Sequence, residues 1–406
     1  MLKAVLKTNV VALSLVLGLS SSMAAPNEYA LDSDNEVTMA RLFDGHLLPD
    51  QMIEVLSSVD QLVPSATIAK GDKVSEFELS DRSLGNVDFE YKDKNYDIFD
   101  FMALNRIAGM LILKDGKVVL EEYQLGLEPD MRWLSASMVK SLTSTLVGLA
   151  IADGHINSVD DMVVDYLPVL KDSGYDGVTI KQILQMRSGV KWDETYNDPN
   201  SDRRQVLDLQ HKQEPGAFLE FMSTLEREVP AGSRYNYSTG ETYLIGALVE
   251  AAVNKPLPEY LSERIWQPLG MERDGKWWLM SPEGPITAGG GYAATLRDYA
   301  RFAQFIASGA VIDGVSLVPE GWFEEAGKTG TEDIGYGYQW WTYDKPGDDP
   351  IHKGAVTARG VYGQSMYINF DENLVIVILG AQSKTGGMGV IPYDVFHAEI
   401  VKALHK

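Results

Sequence analysis

Apolar positions along the chain follow two periods. Met110-Leu111-Ile112-Leu113 is followed by Lys114-Asp115-Gly116-Lys117 and then by Val118-Val119-Leu120. Two apolar runs parted by Asp-Gly predict an antiparallel hairpin over Ile107 to Tyr123. From Arg132 to Gly154, RWLSASMVKSLTSTLVGLAIADG, the period becomes helical, with Gly154 placed to end the helix. Ile156 to about Pro285 reads as helical pieces and loops. Thr179 to Met186 is stopped by Ser188-Gly189, and Gly240 to Val253 by Asn254-Lys255-Pro256. After the glycine-rich turn Ala288 to Tyr292, Thr295 caps a helix running through Phe305. Strand character then returns at Gly335 to Trp341, Gly360 to Phe370 and Leu374 to Leu379, before a C-terminal helix over Pro392 to Leu404.

Strands near both ends, with helices between and around them, predict an α/β (α+β) chain. One antiparallel sheet is built from both ends and flanked by helices, beside an all-α region. The boundaries read as a signal peptide at 1–24, an N-terminal arm at 25–100, a sheet domain at 101–155 and 286–406, and the all-α region at 156–285. In the arm only Thr38 to Val59 looks helical, and no chemistry is assigned there.

Composition narrows the function. The 406 residues are 45% hydrophobic, enough for a large core. A net charge of −23 argues against nucleic acid and anionic membranes as partners. Without cysteine there is no disulfide and no thiol nucleophile, and the six scattered histidines form no ligand spacing, so neither metal nor other cofactor is expected. Lys3 and Lys7, the apolar Val10 to Leu19 and the small-x-small Ser22-Met23-Ala24 read as a secretory signal, cleaved after Ala24. No stretch is long and apolar enough for a transmembrane helix. The mature chain is therefore expected outside the cytoplasm, secreted or periplasmic. Its oligomeric state is left open.

Chemistry enters at Ser137-Met138-Val139-Lys140. A serine and a lysine three apart at a helix start share one face, and the serine lies among free N–H groups. That is a nucleophile with an adjacent base. A second SxxK, Ser188 to Lys191, sits at a helix stop where nothing fixes its register. Proton transfer to a leaving group needs another group, and Tyr237, in PAGSRYNYSTG at a loop-to-helix junction, is the candidate. A lysine cation beside it is expected to lower its pKa.

These segments, with LAIADGHINSVDDMVVDYLP, VTIKQILQMRSGVKWDE, GGGYAATLRDYARFAQFIASGA, GYGYQWW and ARGVYGQSMYINFDENLVIVILG, occur in the order found in the penicillin-recognising serine hydrolases. The chain resembles class C β-lactamases, DD-peptidases, family VIII esterases and, most closely, 6-aminohexanoate-oligomer hydrolases. The resemblance implies the serine β-lactamase-like fold, an acylated Ser137, an assisting Lys140 and a Tyr237 corresponding to the family's Tyr-x-Asn tyrosine. Thr239 stands at the Asn position, which argues against β-lactam turnover. Lys328-Thr329-Gly330 and Lys384-Thr385-Gly386 both miss the place of the family's Lys-Thr-Gly, which falls at Ala358 to Gln364. There the Val361 N–H is expected to join that of Ser137 in the oxyanion hole, and Arg359 to meet a substrate carboxylate. Gly360, Tyr362, Tyr196 and Thr239 complete the expected substrate contacts. The acidic residues Asp193, Glu194, Asp198 and Asp202 around Tyr196 either attract a cationic amine or form a solvated loop. The resulting expectation is an exported hydrolase of small esters or amide oligomers. The alternatives are a β-lactamase or DD-peptidase, and a non-catalytic binder on the same fold.

Overall fold

A computed structural model describes residues 38–58, 62–282, 284–330, 334–386 and 389–406. The expected signal segment lies outside the described residues. In chain order, the elements that position the site begin with helix α1 (Met39–Asp44), strand β1 (Ser65–Ile68), helix α2 (Ile98–Leu104) and strands β2 (Ile107–Lys114), β3 (Lys117–Tyr123) and β4 (Trp133–Leu134). Helices α3 (Val139–Ala152), α4 (Asp202–Lys212) and α5 (Thr239–Val253) follow, then strands β5 (Gly275–Trp278) and β6 (Tyr292–Ala294) and helix α6 (Leu296–Ala307). The chain closes with β7 (Trp341–Thr342), β8 (Ala355–Arg359), β9 (Ser365–Asn369), β10 (Leu374–Gly380) and helix α7 (Tyr393–Leu404).

Six strands form one antiparallel sheet in the order β7-β8-β9-β10-β2-β3, so the N- and C-terminal parts of the chain meet at the β10–β2 pair. The β2–β3 hairpin turns at Asp115 and Gly116, with φ of 53° and 78°. Two successive positive φ values are what a tight hairpin turn requires. Strand β10 is buried along its whole length: Val375, Val377 and Leu379 enter one core, and Leu374, Ile376 and Ile378 the other. A strand covered on both faces reads as an unbroken apolar run, which is why β10 shows no alternation in sequence. On the second face, α2 and α7 pack through Phe101 and Phe396, stacked with centroids 3.8 Å apart.

A smaller sheet, β1-β5-β6-β4, lies beside the nucleophile region. Strand β5 belongs to the segment expected to be all-α, and β1 to the arm, so this sheet crosses both boundaries drawn from sequence. Gly335 to Trp340 is not a strand, and of the expected stretch only Trp341 enters β7. Gln339 has φ of 60° and the Gly337 N–H bonds the Trp340 carbonyl at 2.9 Å, which folds the segment into a tight loop. The run expected from Gly360 starts as strand only at Ser365, because 360–364 forms a turn. Among the described residues no helix is long and apolar enough to cross a membrane.

Candidate active site

Strand β4 delivers the chain into a 3₁₀ turn, Ala136–Met138, which runs directly into α3. Ala136 holds a positive φ of 45°, unfavourable for a residue with a Cβ. Ser137 therefore follows a sharp reversal at a helix start, where N–H groups have no intrahelical acceptor. The turn 360–364 clamps onto the same spot. The Gln364 side chain donates to the Leu134 carbonyl at 3.0 Å and accepts from the Tyr362 N–H at 3.1 Å. Gly360 permits this approach, since a Cβ there would sit 2.6 Å from the Ser135 carbonyl oxygen. Val361 and Tyr362 thereby line one cavity with Ser137, and among the described residues the Val361 N–H has no acceptor. Val361 sits in a turn and not on the strand edge expected from sequence.

Lys140 is fully buried on the first turn of α3. Its Nζ donates to the Gly289 carbonyl at 2.7 Å and to Thr239 Oγ1 at 3.0 Å. Burial, opposed by the charge of Glu194 and assisted by that of Arg203, pushes its pKa down to about 7. Nζ also lies 5.3 Å from the centroid of the Tyr237 ring. Tyr237 faces Ser137, whose hydroxyl favours its ionised form. Burial and the negative charge of Glu194 outweigh that and hold the phenol well above its ordinary pKa. The lowering expected from Lys140 does not occur, so Tyr237 is a neutral donor. Its ring rests on Trp341, with centroids 6.3 Å apart, and on Tyr336 at 6.1 Å, so the GYGYQWW loop is its aromatic backing.

Thr239 is the first residue of α5, held by the Ser238 cap. Its hydroxyl accepts from Lys140 and donates to Glu194, leaving it a relay between lysine and carboxylate where a contact to substrate was expected. Glu194 also accepts from Trp192 Nε1 at 2.6 Å, the Thr239 N–H at 2.9 Å and the Tyr196 hydroxyl at 3.0 Å. Inside the 193–202 loop, Asp193, Asp198 and Asp202 accept backbone N–H groups and brace the loop itself. Of these acids only Glu194 turns to the site, and it meets Lys140 through Thr239. Its sequence signal was present but shared by all four acids of the loop.

The cavity is walled by Met39, Leu42 and Phe43 of α1, by Tyr196, Tyr243, Trp278 and Tyr362, and by Arg203 of α4. The arm given no chemistry from sequence thus covers the nucleophile. It is fastened by Arg204 to Asp44 at 2.5 Å and by the Tyr362 hydroxyl to the Leu42 carbonyl at 3.2 Å. The space left between these walls is about 30 Å³. A larger hollow of about 580 Å³ beside Trp322, Lys328 and Asp371 contains neither Ser137 nor Lys140.

Arg359 does not enter the Ser137 cavity. It is ion-paired with Asp394 at 3.3 Å, lies 5.5 Å from the Trp341 ring centroid and keeps 41% of its side chain exposed. Its side chain meets Asp394 of α7 and the Trp341 ring, apart from the cavity that holds Ser137. Ser188 is buried and donates to Glu241. Lys328 pairs with Glu325 at the surface, and the Gly386 N–H backs the Val361 carbonyl at 3.3 Å.

Gly289 limits how Lys140 can be held. A Cβ there would stand 2.7 Å from Nζ and 3.1 Å from Thr242 Cβ. Gly289→Ala should keep the fold, because the flexible end of the lysine gives way, yet move Nζ off its carbonyl partner. A shift of that size at a reacting group costs on the order of 100-fold in kcat. Ester turnover measured beside a thermal melt checks this, and unchanged turnover would count against a fixed Lys140.

The β-lactamase family model matches residues 98–395. The 6-aminohexanoate-dimer hydrolase of Paenarthrobacter ureafaciens is 28% identical over 381 residues, covering 88% of this chain and 89% of that one. A D-alanyl-D-alanine carboxypeptidase, provisionally assigned in Escherichia coli K12, is 27% identical over 181 residues, 40% of this chain and 42% of its own length. Among solved structures, a Bacillus anthracis protein provisionally assigned as a 6-aminohexanoate-dimer hydrolase superposes with a TM-score of 0.75. It is 20% identical and spans 92% of this chain and 96% of that chain. The hydrolase EstCE1 superposes at 0.57 with 15% identity, over 75% of this chain and 95% of that one. A buried lysine one turn from a serine, on a chain matched by the family model over most of its length, leads to one conclusion: this chain belongs to the β-lactamase family, as a serine hydrolase of amidase or esterase type.

Proposed function

We propose that this chain is an exported hydrolase that cleaves small esters or amide oligomers through an acyl-enzyme on Ser137. The observation that carries the reading is Lys140, fully buried one helical turn from Ser137, with a pKa near 7 that makes it a usable base at neutral pH. Ser137 Oγ attacks the carbonyl carbon as its proton passes to neutral Lys140. The oxyanion is met by the N–H groups of Ser137 and Val361. The neutral Tyr237 phenol gives its proton to the leaving oxygen or nitrogen and is reprotonated from Lys140. Water then attacks the acyl carbon, its proton returns through the same groups, and Ser137 is released.

Amide cleavage is supported by similarity to the 6-aminohexanoate-dimer hydrolase over nearly the whole chain, and ester cleavage follows from the same acyl transfer to Ser137. Export rests on the composition of residues 1–24. The commitment of Thr239 to Lys140 and Glu194 disfavours the β-lactamase and DD-peptidase alternative, because it leaves no side-chain amide at that position for a β-lactam. The test is a panel of p-nitrophenyl butyrate, the linear 6-aminohexanoate dimer and nitrocefin. Turnover of the ester or the dimer, with nitrocefin intact, is the expected result. Turnover of nitrocefin alone would replace this reading with the β-lactamase one, and hydrolysis of nothing would leave a binder.

A further inference from the structure

Gln339 bears two costs at once. Its backbone is held at φ of 60°, a left-handed conformation that glutamine rarely adopts. Its side chain is buried, and its Nε2 has no partner among the described residues. A residue strained in two ways inside a packed core is held there by its surroundings, and such residues collect at functional sites. Gln339 is absent from the walls of the Ser137 cavity, so contact with substrate is not its part.

Its other polar groups reach three elements. The Gln339 carbonyl accepts from the Ser141 hydroxyl of α3 at 2.6 Å, and Ser141 follows Lys140. The side-chain Oε1 accepts from the Thr242 hydroxyl of α5 at 2.8 Å, one turn beyond Thr239. The Gln339 N–H donates to the Leu184 carbonyl at 3.0 Å, shared with the Gly337 carbonyl, at the end of the short helix Ile180–Leu184. Two residues on, Met186 brackets Tyr237. Its carbonyl accepts the Asn236 N–H at 2.8 Å and its sulfur accepts the Ser238 N–H at 3.3 Å. The loop around Gln339 also supplies Tyr336 and Trp341, against which the Tyr237 ring rests. One residue thus touches the supports of Lys140, Thr239 and Tyr237 together.

We propose that Gln339 is a positioning residue for this hydrolase, a clasp that sets the separation of Lys140 and Tyr237 by tying their supporting elements to one point. This rests on the acyl-enzyme reading above. In that reading a proton passes from Lys140 to Tyr237 in each cycle, and Nζ stands 5.3 Å from the phenol ring centroid. A displacement of about 1 Å at such a pair costs on the order of 100-fold in turnover. Loss of the clasp therefore slows the chemical step and leaves substrate binding alone.

The experiment uses p-nitrophenyl butyrate and the full chain. Gln339→Met keeps the length of the side chain but cannot accept from Thr242, and Thr242→Val removes the donor. Each should lower kcat by about 10- to 100-fold, with KM within about twofold of the unmodified protein. Both changes break one bond, so the double variant should lose no more than either alone. The double variant also leaves no unpaired buried group at that contact. Its melting temperature should therefore recover towards that of the unmodified protein while kcat stays low. Ser141→Ala, which cuts the tie to α3 by removing one hydroxyl, should lower kcat and spare KM in the same way. An unchanged kcat in the three single variants, or a loss carried by KM, would overturn the proposal. So would a kcat that recovers together with the melting temperature in the double variant, which would leave Gln339 a structural residue. An unmodified protein that neither hydrolyses an ester or amide nor takes a fluorophosphonate label would instead overturn the hydrolase reading beneath it.

Discussion

Ser137→Ala should lower kcat/KM by about 10⁴- to 10⁶-fold, the usual cost of removing a nucleophile whose partners remain. Labelling by a fluorophosphonate probe should disappear with it, while the melting temperature stays within a few degrees. The change deletes one hydroxyl at the edge of a cavity, so it opens little new space, and the buried group that faces it is the Tyr237 phenol. The neighbouring serines explain why no other residue takes over. Ser135 donates to the Ala136 carbonyl, Ser141 to the Gln339 carbonyl and Ser188 to Glu241. Among the described residues only Ser137 combines a place in the cavity, a helix-start N–H and a lysine one turn away. Persistent labelling mapped to another serine would sink the assignment.

Local signals in the chain carried much of this architecture. Asp115-Gly116 demanded positive φ values and formed the hairpin, and the Thr295 hydroxyl caps α6 by accepting the Asp298 N–H. The SxxK register at Ser137 was enforced by the helix that follows, so pairing serine with lysine needed no tertiary knowledge. Arg203 is the opposite case. Nothing near it in sequence distinguishes it from Arg204. The difference lies in Asp44, 160 positions away, which reaches one guanidinium and not the other. The same limit hid α1, whose Met39, Leu42 and Phe43 look like any short amphipathic turn until the cavity they cover is known. The direction of the Tyr237 shift failed for a related reason. Proximity to a cation was readable, but burial and the field of Glu194 exist only in the folded state. Gly335 to Trp341 was misread because aromatic residues favour strands as readily as they back a cleft.

Activity should rise with pH through about 7 and level off above it. Burial disfavours the ammonium form of Lys140, so its pKa falls from the usual 10.5 to about 7. Below that value the lysine is protonated and cannot accept the Ser137 proton, and kcat/KM should fall about tenfold per pH unit. Lys140→Met should cost about 10⁴-fold, and Lys140→Arg nearly as much, since a guanidinium stays charged at every working pH. The neighbouring charges make the assignment specific. Glu194 pulls the lysine pKa up, so Glu194→Gln should move the acidic limb to lower pH. Arg203 pushes it down, so Arg203→Met should move the limb to higher pH. The measurement is kcat/KM for a neutral ester from about pH 5 to 9 in all three proteins. A flat profile, or a limb that stays in place when either charge is removed, would mean that the group titrating is not Lys140. The opposed shifts separate a base in the field of Glu194 and Arg203 from a general loss of packing, which has no reason to move the limb in opposite directions for the two substitutions.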